Sequence, residues 1–285
     1  MPELPEVEVL ARHLEPLLRR KTVRGVSVQR ARVLRPTTET ELARALIGSR
    51  FAGLERRGKY LVFTLRPRRQ GAPFRMLGHL GMTGRMFCLP SKNPLPKHAA
   101  VVLDLGACRF VFEDTRYFGR LTLDLSALEI LGPEPLGGHF TVSDFARALK
   151  RSGQAIKVKL LDQSLLAGVG NIYASEALYG ARVSPLRPAG RVSRRQVRRL
   201  WSAIRRVLRT AIDRGSTVPL NWSGGGRGLF YYGLASGAGS HYEERLRVYD
   251  REGQPCGRCG ARIRRITQAA RSTYYCPRCQ GSRRG

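Results

Sequence analysis

The chain begins with apolar residues at helical spacing and continues as short apolar runs separated by turns. Pro5 suits the first turn of a helix. The apolar positions that follow are Val7, Leu10, Leu14 and Leu17. A helix is therefore predicted at the start of the chain. Residues 22–126 contain β-branched and aromatic runs at 60–65, 100–105 and 109–112, which predict the strands of a β-sandwich.

The pattern becomes helical after a segment rich in glycine and proline at residues 131–138, which predicts a domain boundary. Ser143 is expected to cap the first helix, which ends at Lys150. Further helical segments are predicted at residues 155–161, 172–179 and 193–213. Residues 215–245 are rich in Gly, Ser and Tyr and predict a long loop. These features predict domains at residues 1–132, 140–244 and 245–281 in an α+β protein.

The charge balance indicates the kind of partner. The chain contains 51 Lys and Arg against 21 Asp and Glu, which gives a formal net charge of +30. Such an excess predicts a polyanionic partner, with nucleic acid as the leading candidate. No apolar stretch is long enough to span a membrane, and MPELPEVEVL lacks the basic-then-apolar order of a signal peptide. We therefore expect a cytosolic protein with reduced thiols.

Two Cys-x-x-Cys pairs lie near the C-terminus. Sixteen residues separate Cys256 and Cys259 from Cys276 and Cys279. This spacing predicts a tetrathiolate site for one structural Zn²⁺, and two disulfides are the alternative. Four thiolates leave the metal no open position for catalysis. The segment between the pairs carries several arginines, so a zinc-stapled hairpin that contacts phosphates is expected.

The N-terminus offers a candidate nucleophile. Removal of Met1, expected before a small residue, would leave Pro2 with a free secondary amine. An α-amino group has a pKa of roughly 7.7–8.0, so part of it is neutral and nucleophilic near pH 7. Attack on a sugar C1′ would form an iminium that favours elimination. Glu3 and Glu6 are close enough in sequence to act as acid or base, although acidic residues at a helix start also serve as ordinary caps.

The string Pro2–Glu8 resembles the opening of bacterial formamidopyrimidine-DNA glycosylases, also called 8-oxoguanine DNA glycosylases. The resemblance recurs along nearly the whole chain. Its further segments are the catalytic-lysine strand at 57–61, the void-filling loop at 79–84, Lys97-His98, the wedge loop at 114–119, the helix–two-turns–helix signature at 168–176 and the zinc hairpin at 271–276. It implies an N-terminal β-sandwich with a flanking helix, a helix–two-turns–helix domain and a C-terminal zinc-finger hairpin.

The resemblance implies a bifunctional DNA glycosylase and AP lyase of base excision repair. Such an enzyme removes oxidised purines through a proline Schiff base and nicks the strand by β,δ-elimination. Pro2 would be the nucleophile and Glu3 the acid that helps to open the sugar. Lys59 would assist β-elimination, and Arg271 would clamp a phosphate during δ-elimination, because a guanidinium stays protonated.

The resemblance also implies residues that contact DNA. A damaged base must leave the helix to be reached, and the gap would be filled by Met82, Arg116 and Phe118. Arg116 would hydrogen-bond the widowed cytosine. The residues expected to contact phosphates or the extruded nucleotide are His98, Arg151, Lys157 and Asn171. Core packing is the alternative role for Met82 and Phe118.

Two features depart from the family. The glycine-rich loop at residues 219–240 is longer than in familiar members of the family. In those members this loop caps the extruded base. The preferred lesion therefore depends on the loop. Gly153 stands where the family often has a basic residue, and Arg151 is the candidate substitute.

Three alternatives remain at this stage. One is an endonuclease VIII-like enzyme for oxidised pyrimidines, which Leu4 and the Met82, Arg116 and Phe118 set disfavour. The second is a non-catalytic protein that binds damaged DNA, which would not need Pro2, Glu3 and Lys59 together. The third is an RNA-binding or ribosome-binding zinc protein, which leaves the N-terminus unexplained. The partner expected is double-stranded DNA with oxidised bases or abasic sites, bound by a monomer associated with the bacterial nucleoid.

Overall fold

The computed structural model describes residues 2–69, 71–215 and 246–281. These residues form two compact units, residues 2–129 and residues 130–215 with 246–281. The predicted α+β fold is confirmed. The glycine-rich loop predicted at residues 219–240 lies outside the described residues. No helix in the described ranges is both long and apolar enough to cross a membrane.

The first unit is a β-sandwich flanked by an N-terminal helix, α1 (Leu4–Leu18). One antiparallel sheet has the strand order β1-β6-β7-β5 and the other the order β2-β3-β4-β8. The first four strands are β1 (Gly25–Val28), β2 (Arg50–Arg57), β3 (Tyr60–Arg66) and β4 (Phe74–His79). The other four are β5 (Arg85–Pro90), β6 (Ala99–Asp104), β7 (Cys108–Glu113) and β8 (Arg120–Thr122). Short helices α2 (Glu39–Leu46) and α3 (Ser126–Glu129) complete the unit.

The core of this unit fills the space between the two sheets and α1. Phe63 of one sheet and Phe110 of the other pack edge to face, with ring centroids 5.6 Å apart. Leu10 and Leu14 of α1 belong to the same buried cluster. Leu17 was predicted in this apolar stripe but is 41% exposed, and Leu18 is buried in its place. The core therefore fixes α1, and with it the start of the chain, against the sandwich.

The second unit is helical except for one hairpin. Its helices are α4 (Val142–Lys150), α5 (Ile156–Lys159), α6 (Asn171–Ala181), α7 (Arg194–Asp213) and α8 (Pro277–Gln280). Ser193 caps α7 as predicted, because its hydroxyl accepts from the Gln196 N–H. The predicted cap Ser143 is wrong. Thr141 caps α4 by accepting from the Asp144 N–H, so the helix begins earlier.

A two-stranded hairpin of β9 (Arg264–Gln268) and β10 (Arg271–Tyr275) belongs to the second unit. Gln268 pairs with Arg271, so Ala269 and Ala270 alone form the turn. Both alanines have positive φ, 47° and 57°. Two-residue turns of this kind favour Asn-Gly, because left-handed backbone costs other residues roughly 1–2 kcal/mol each. The hairpin therefore carries backbone strain directly beside Arg271.

Replacement of Ala269 and Ala270 by Asn and Gly should relieve this strain. We expect the free energy of unfolding in urea to rise by about 1–2 kcal/mol. The matched control replaces both alanines with valine, whose branched side chain tolerates positive φ less well, and should lower stability. A lower stability for the Asn-Gly variant would contradict the strain.

Candidate functional site

The first residues of the chain are buried at the start of α1. Pro2 is buried, and the side chains of Glu3 and Glu6 are only 2% exposed. Glu3 and Glu6 form a reciprocal capping box, in which the Glu3 N–H donates to Glu6 Oε2 at 2.8 Å. This geometry holds two carboxylates in fixed positions next to Pro2. The same bonds are ordinary helix caps, so they place these groups without assigning a reaction to them.

Lys59 lies in a two-residue turn rather than inside a strand. Arg57 pairs with Tyr60 across the turn, and Gly58 adopts a φ of +59°, which glycine adopts without strain. The Lys59 side chain is 7% exposed. A buried ammonium is costly unless nearby groups stabilise its charge, so this position requires a specific polar environment.

Arg56 connects this turn to α1. Its Nε donates to Glu8 Oε2 at 2.8 Å, and its Nη1 donates to the Gly58 carbonyl at 3.2 Å. Burial alone would raise the pKa of Glu8, but bonds from Arg56 and Arg12 outweigh burial and hold this pKa below its usual value. The lysine turn and the helix that begins at Leu4 are therefore fixed to each other within the first unit.

His79 lies in the predicted loop segment 79–84, but no separate role was predicted for this residue. It ends β4, and its ring lies 4.7 Å from the Tyr60 ring. Burial, together with the charges of Lys59 and Arg120, lowers the pKa of His79 to about 4. The imidazole is therefore neutral near pH 7, and Nδ1 accepts the Gly81 N–H at 3.1 Å. This bond anchors the start of the loop that carries Met82.

Asp114 joins the two loops in which the wedge residues were predicted. Its fully buried carboxylate accepts hydrogen bonds from the Thr83 hydroxyl (2.6 Å) and from the N–H groups of Arg116 (3.2 Å) and Gly119 (2.8 Å). A Cβ on Gly119 would lie 2.7 Å from the His79 carbonyl, so only glycine allows the loops to approach this closely. The role of Asp114 was not predicted.

The three predicted wedge residues occur together on these loops. Met82 is 46% exposed and Phe118 is 51% exposed, unlike core residues. The Arg116 guanidinium lies 5.7 Å from the centre of the Phe118 ring. His98 is adjacent through the backbone, because its carbonyl accepts the Asp114 N–H at 3.1 Å. Exposed apolar side chains on rigidly bonded loops are suited to insertion between bases.

Two consecutive hydrogen bonds in the second unit connect α5, α6 and the zinc hairpin. Lys157, only 1% exposed, donates from Nζ to Asn171 Oδ1 at 2.5 Å. Asn171 Nδ2 donates to the Ser272 carbonyl at 2.8 Å. Arg271, next to Ser272, is exposed. The structure thus brings together three predicted residues of this unit, Lys157, Asn171 and Arg271. Arg151 is exposed at the C-terminal cap of α4 and does not belong to this series of hydrogen bonds.

Glu176 was also missed as a structural residue. It is 5% exposed, and its carboxylate accepts the consecutive N–H groups of Arg247, Val248 and Tyr249 at 2.8–3.1 Å. The three N–H groups lower the pKa of Glu176, but burial outweighs them, so this pKa is raised above its usual value. Val248 packs in the same cluster as Cys256 and Cys276. Glu176 therefore fixes the segment that leads into the cysteine pairs onto α6.

The four predicted cysteines form one cluster. Their sulfur atoms all lie within 4.8 Å of one another, with Cys256 to Cys279 at 3.9 Å and Cys259 to Cys276 at 3.5 Å. Tetrahedral zinc with bonds of about 2.3 Å places its sulfur ligands about 3.8 Å apart, so the cluster fits one Zn²⁺. The hydroxyl of Tyr179 lies 3.3 Å from Cys256 Sγ and adds a contact outside the four ligands.

Three families of protein domains match successive parts of the chain. Residues 1–121 match the formamidopyrimidine-DNA glycosylase N-terminal domain and residues 131–220 its H2TH domain. Residues 253–281 match a zinc finger found in FPG and IleRS. The chain is 42% identical to a formamidopyrimidine-DNA glycosylase of Novosphingobium aromaticivorans, over 98% of this chain and all of the relative, and 39% identical to one of Chloroflexus aurantiacus, over 98% of each.

Solved structures with the same fold contain DNA. The chain resembles a Lactococcus lactis FPG mutant in complex with a Fapy-dG containing DNA, with a TM-score of 0.86 and 30% identity over 99% of this chain and all of that one. It also resembles the Lactococcus lactis Fpg in complex with an abasic site containing DNA, with a TM-score of 0.86 and 31% identity over 98% of this chain and all of that one.

Asp114→Asn should destabilise the first unit. The amide cannot accept all three hydrogen bonds, because one of its positions is itself a donor. We expect the free energy of unfolding in urea to fall by about 2–3 kcal/mol. Asp104→Asn is the matched control and should have little effect, since its exposed carboxylate accepts a single hydrogen bond among the described residues, from the Gly106 N–H. Equal stabilities for the two variants would contradict the role of Asp114.

Cys276→Ser should release zinc from the second unit. Elemental analysis of the wild-type protein should give one zinc per chain, and the variant should lose its metal on dialysis because one thiolate ligand is gone. Cys88→Ser, outside the cluster, is the control and should keep its zinc. A metal-free protein that remains fully folded and binds duplex DNA tightly would overturn the zinc assignment.

Proposed function

The chain belongs to the formamidopyrimidine-DNA glycosylase family, and on this basis we propose that Pro2, Glu3 and Lys59 excise oxidised purines and then cut the strand. The protein is a DNA glycosylase of base excision repair with AP lyase activity. The assignment of these three residues is supported mainly by one observation. Pro2 is buried at the start of α1 beside two buried carboxylates, Glu3 and Glu6, in the unit that also contains the buried Lys59.

The proposed chemistry begins with the amine of Pro2, which becomes available when Met1 is removed. The nitrogen attacks C1′ of the damaged nucleotide, the bond from C1′ to the base breaks, and the base leaves with a proton. Glu3 supplies a proton to open the sugar. The resulting iminium draws electrons from the C1′–C2′ region, so loss of a C2′ proton expels the 3′ phosphate. A second elimination expels the 5′ phosphate. Lys59 and Arg271 stabilise these departing phosphates.

Extrusion of the base from the duplex precedes this chemistry. We propose that Met82 and Phe118 occupy the gap and that Arg116 hydrogen-bonds the unpaired cytosine. The exposure of both apolar side chains supports this role. The bonds of Asp114 and His79 keep the loops in place, which lowers the entropy cost of insertion. His98 is proposed as a phosphate contact beside these loops.

The second unit is proposed to hold the phosphates of the damaged strand. Asn171 lies at the N-terminus of α6, where the helix dipole favours an anion. Lys157 adds positive charge through its bond to Asn171, and Arg271 and Arg151 are exposed cations. The zinc site keeps the hairpin folded and takes no part in catalysis. We infer that the protein acts as a monomer on chromosomal DNA and so associates with the nucleoid.

The N-terminal amine can be tested by blocking it. A duplex with one 8-oxoguanine opposite cytosine is treated with protein and borohydride, which reduces a Schiff base to a stable adduct. The wild type should be trapped and, without borohydride, should leave a one-nucleotide gap with phosphates on both sides. A peptide extension before Pro2 converts the amine into an amide, which is not nucleophilic, and should abolish both results.

The same peptide placed after Gly285 is the control and should leave trapping and cleavage unchanged. Mass spectrometry must confirm that the N-terminal extension is intact. Full trapping by the N-terminally extended protein would contradict the proline mechanism. Tight duplex binding by the wild type without trapping on any oxidised base would favour a non-catalytic damage-binding protein.

Oxidised pyrimidines are the second candidate class of lesion. One similar structure is the Lactococcus lactis Fpg with an oxidised pyrimidine containing DNA. Single-turnover excision rates on matched duplexes that differ only in the lesion decide between the classes. A higher rate on 8-oxoguanine opposite cytosine supports the purine assignment, and a higher rate on an oxidised pyrimidine contradicts it.

A further inference from the structure

A second strongly basic surface lies in the second unit. It contains none of the residues proposed above to contact DNA, although the zinc ligands Cys259 and Cys279 line it. It is a concavity of about 920 Å³ between the α6–α7 connection and the cysteine pairs. We call it the arginine cavity. Its arginines are Arg182, Arg187, Arg195, Arg199, Arg258 and Arg278. Among the described residues that line it there is no Asp or Glu, and the other polar side chains come from serine, glutamine and cysteine.

The six arginines of the cavity have no carboxylate partner among the described residues. Arg258 is held in place, because its guanidinium lies 4.5 Å from the centre of the Tyr179 ring and Nη1 donates to the Tyr179 carbonyl. Like charges gathered in one concavity repel each other and destabilise the fold. An anionic ligand would remove this cost.

Two local features place arginines where the backbone disfavours them. The first turn of α7 has no acidic residue and contains Arg195, although cations are unfavourable at the positive end of a helix. Arg182 caps the C-terminus of α6 with a φ of +56°, where glycine is preferred. Helix stability therefore does not explain either arginine.

The arginine cavity lies at the opposite end of α6 from the proposed contacts with the damaged strand. Asn171 begins the helix and bonds to Ser272, beside Arg271. Arg182 follows the last residue of the same helix, whose 11 residues span roughly 16 Å. A duplex held near Asn171 and Arg271 therefore does not contact the cavity with the same phosphates.

The chemistry of the lining favours phosphate over other anions. Guanidinium groups bind phosphate oxygens in a bidentate manner. None of the described lining residues is an aromatic that could stack on a base, and none is a large apolar residue that could anchor an acidic peptide. The expected ligand is the sugar–phosphate backbone, contacted without reading of its sequence.

We propose that the arginine cavity binds the phosphate backbone of a second DNA segment while the first segment is held for repair. The proposal rests on the proposed function, because it supposes that DNA occupies the other surface. Two simultaneous contacts would let the protein pass directly from one segment to another without dissociating into solvent. Such transfer would speed the search for rare lesions.

Chase kinetics can test direct transfer. Wild-type protein is bound to a fluorescent duplex that carries a tetrahydrofuran abasic analogue, and its departure is followed after addition of unlabelled, lesion-free duplex. Direct transfer predicts a departure rate that rises linearly with chase concentration, whereas release through solvent predicts a constant rate. Arg195→Glu/Arg199→Glu should reduce this slope by about tenfold, because two phosphate contacts become repulsive.

Arg194→Glu/Arg198→Glu is the matched control. It changes the same charge at the same spacing on α7, but its residues line a different concavity, so the slope should stay close to that of the wild type. Equal losses of slope in both variants would show a general charge effect and overturn the proposal. A concentration-independent wild-type rate would also overturn it. So would a poly-glutamate chase as effective as DNA, since the cavity would then bind carboxylates.

Borohydride trapping of the wild type on a duplex with 8-oxoguanine reports separately on the proposed function. Trapping without a concentration-dependent chase would refute the second DNA segment alone. If the wild type is not trapped but its departure rate rises with chase concentration, the catalytic assignment alone is refuted.

Discussion

A buried carboxylate needs several hydrogen-bond donors, and in this protein the donors are mainly backbone N–H groups of functional loops. Asp114 accepts from both loops that present Met82, Arg116 and Phe118. Glu6 accepts from the first turn of the chain, and Glu176 accepts from the segment that leads to the zinc site. Loops that would otherwise be mobile thereby hold fixed positions.

These hydrogen bonds let a strongly basic protein keep acidic groups buried. The chain has 51 Lys and Arg but only 21 acidic residues, and among the latter Glu3, Glu6, Asp114 and Glu176 are buried. Met82 and Phe118 remain about half exposed in the folded protein. The proposed wedge role accounts for this exposure, because packing between bases would bury both side chains.

Sequence reasoning predicted the elements whose pattern is local. The helix at Leu4–Leu18, the strands of the sandwich and the four-cysteine cluster each follow from periodicity or spacing. It misplaced the α4 cap because Thr141 and Ser143 are both good caps and only the backbone path decides between them. It could not assign Asp114 or Glu176, whose hydrogen bonds link segments that the fold brings together. Glu176 and Val248 are 72 residues apart.

The proposed mechanism requires that Pro2 bonds to DNA, although Lys59 and Lys157 are buried amines capable of the same kind of adduct. The direct measurement is peptide mass spectrometry of the borohydride-reduced complex with a duplex that contains 8-oxoguanine. The nucleotide remnant should be attached to the N-terminal peptide, at Pro2, with Met1 absent. Attachment to Lys59 or Lys157, or to a peptide that retains Met1, would contradict the proposed mechanism.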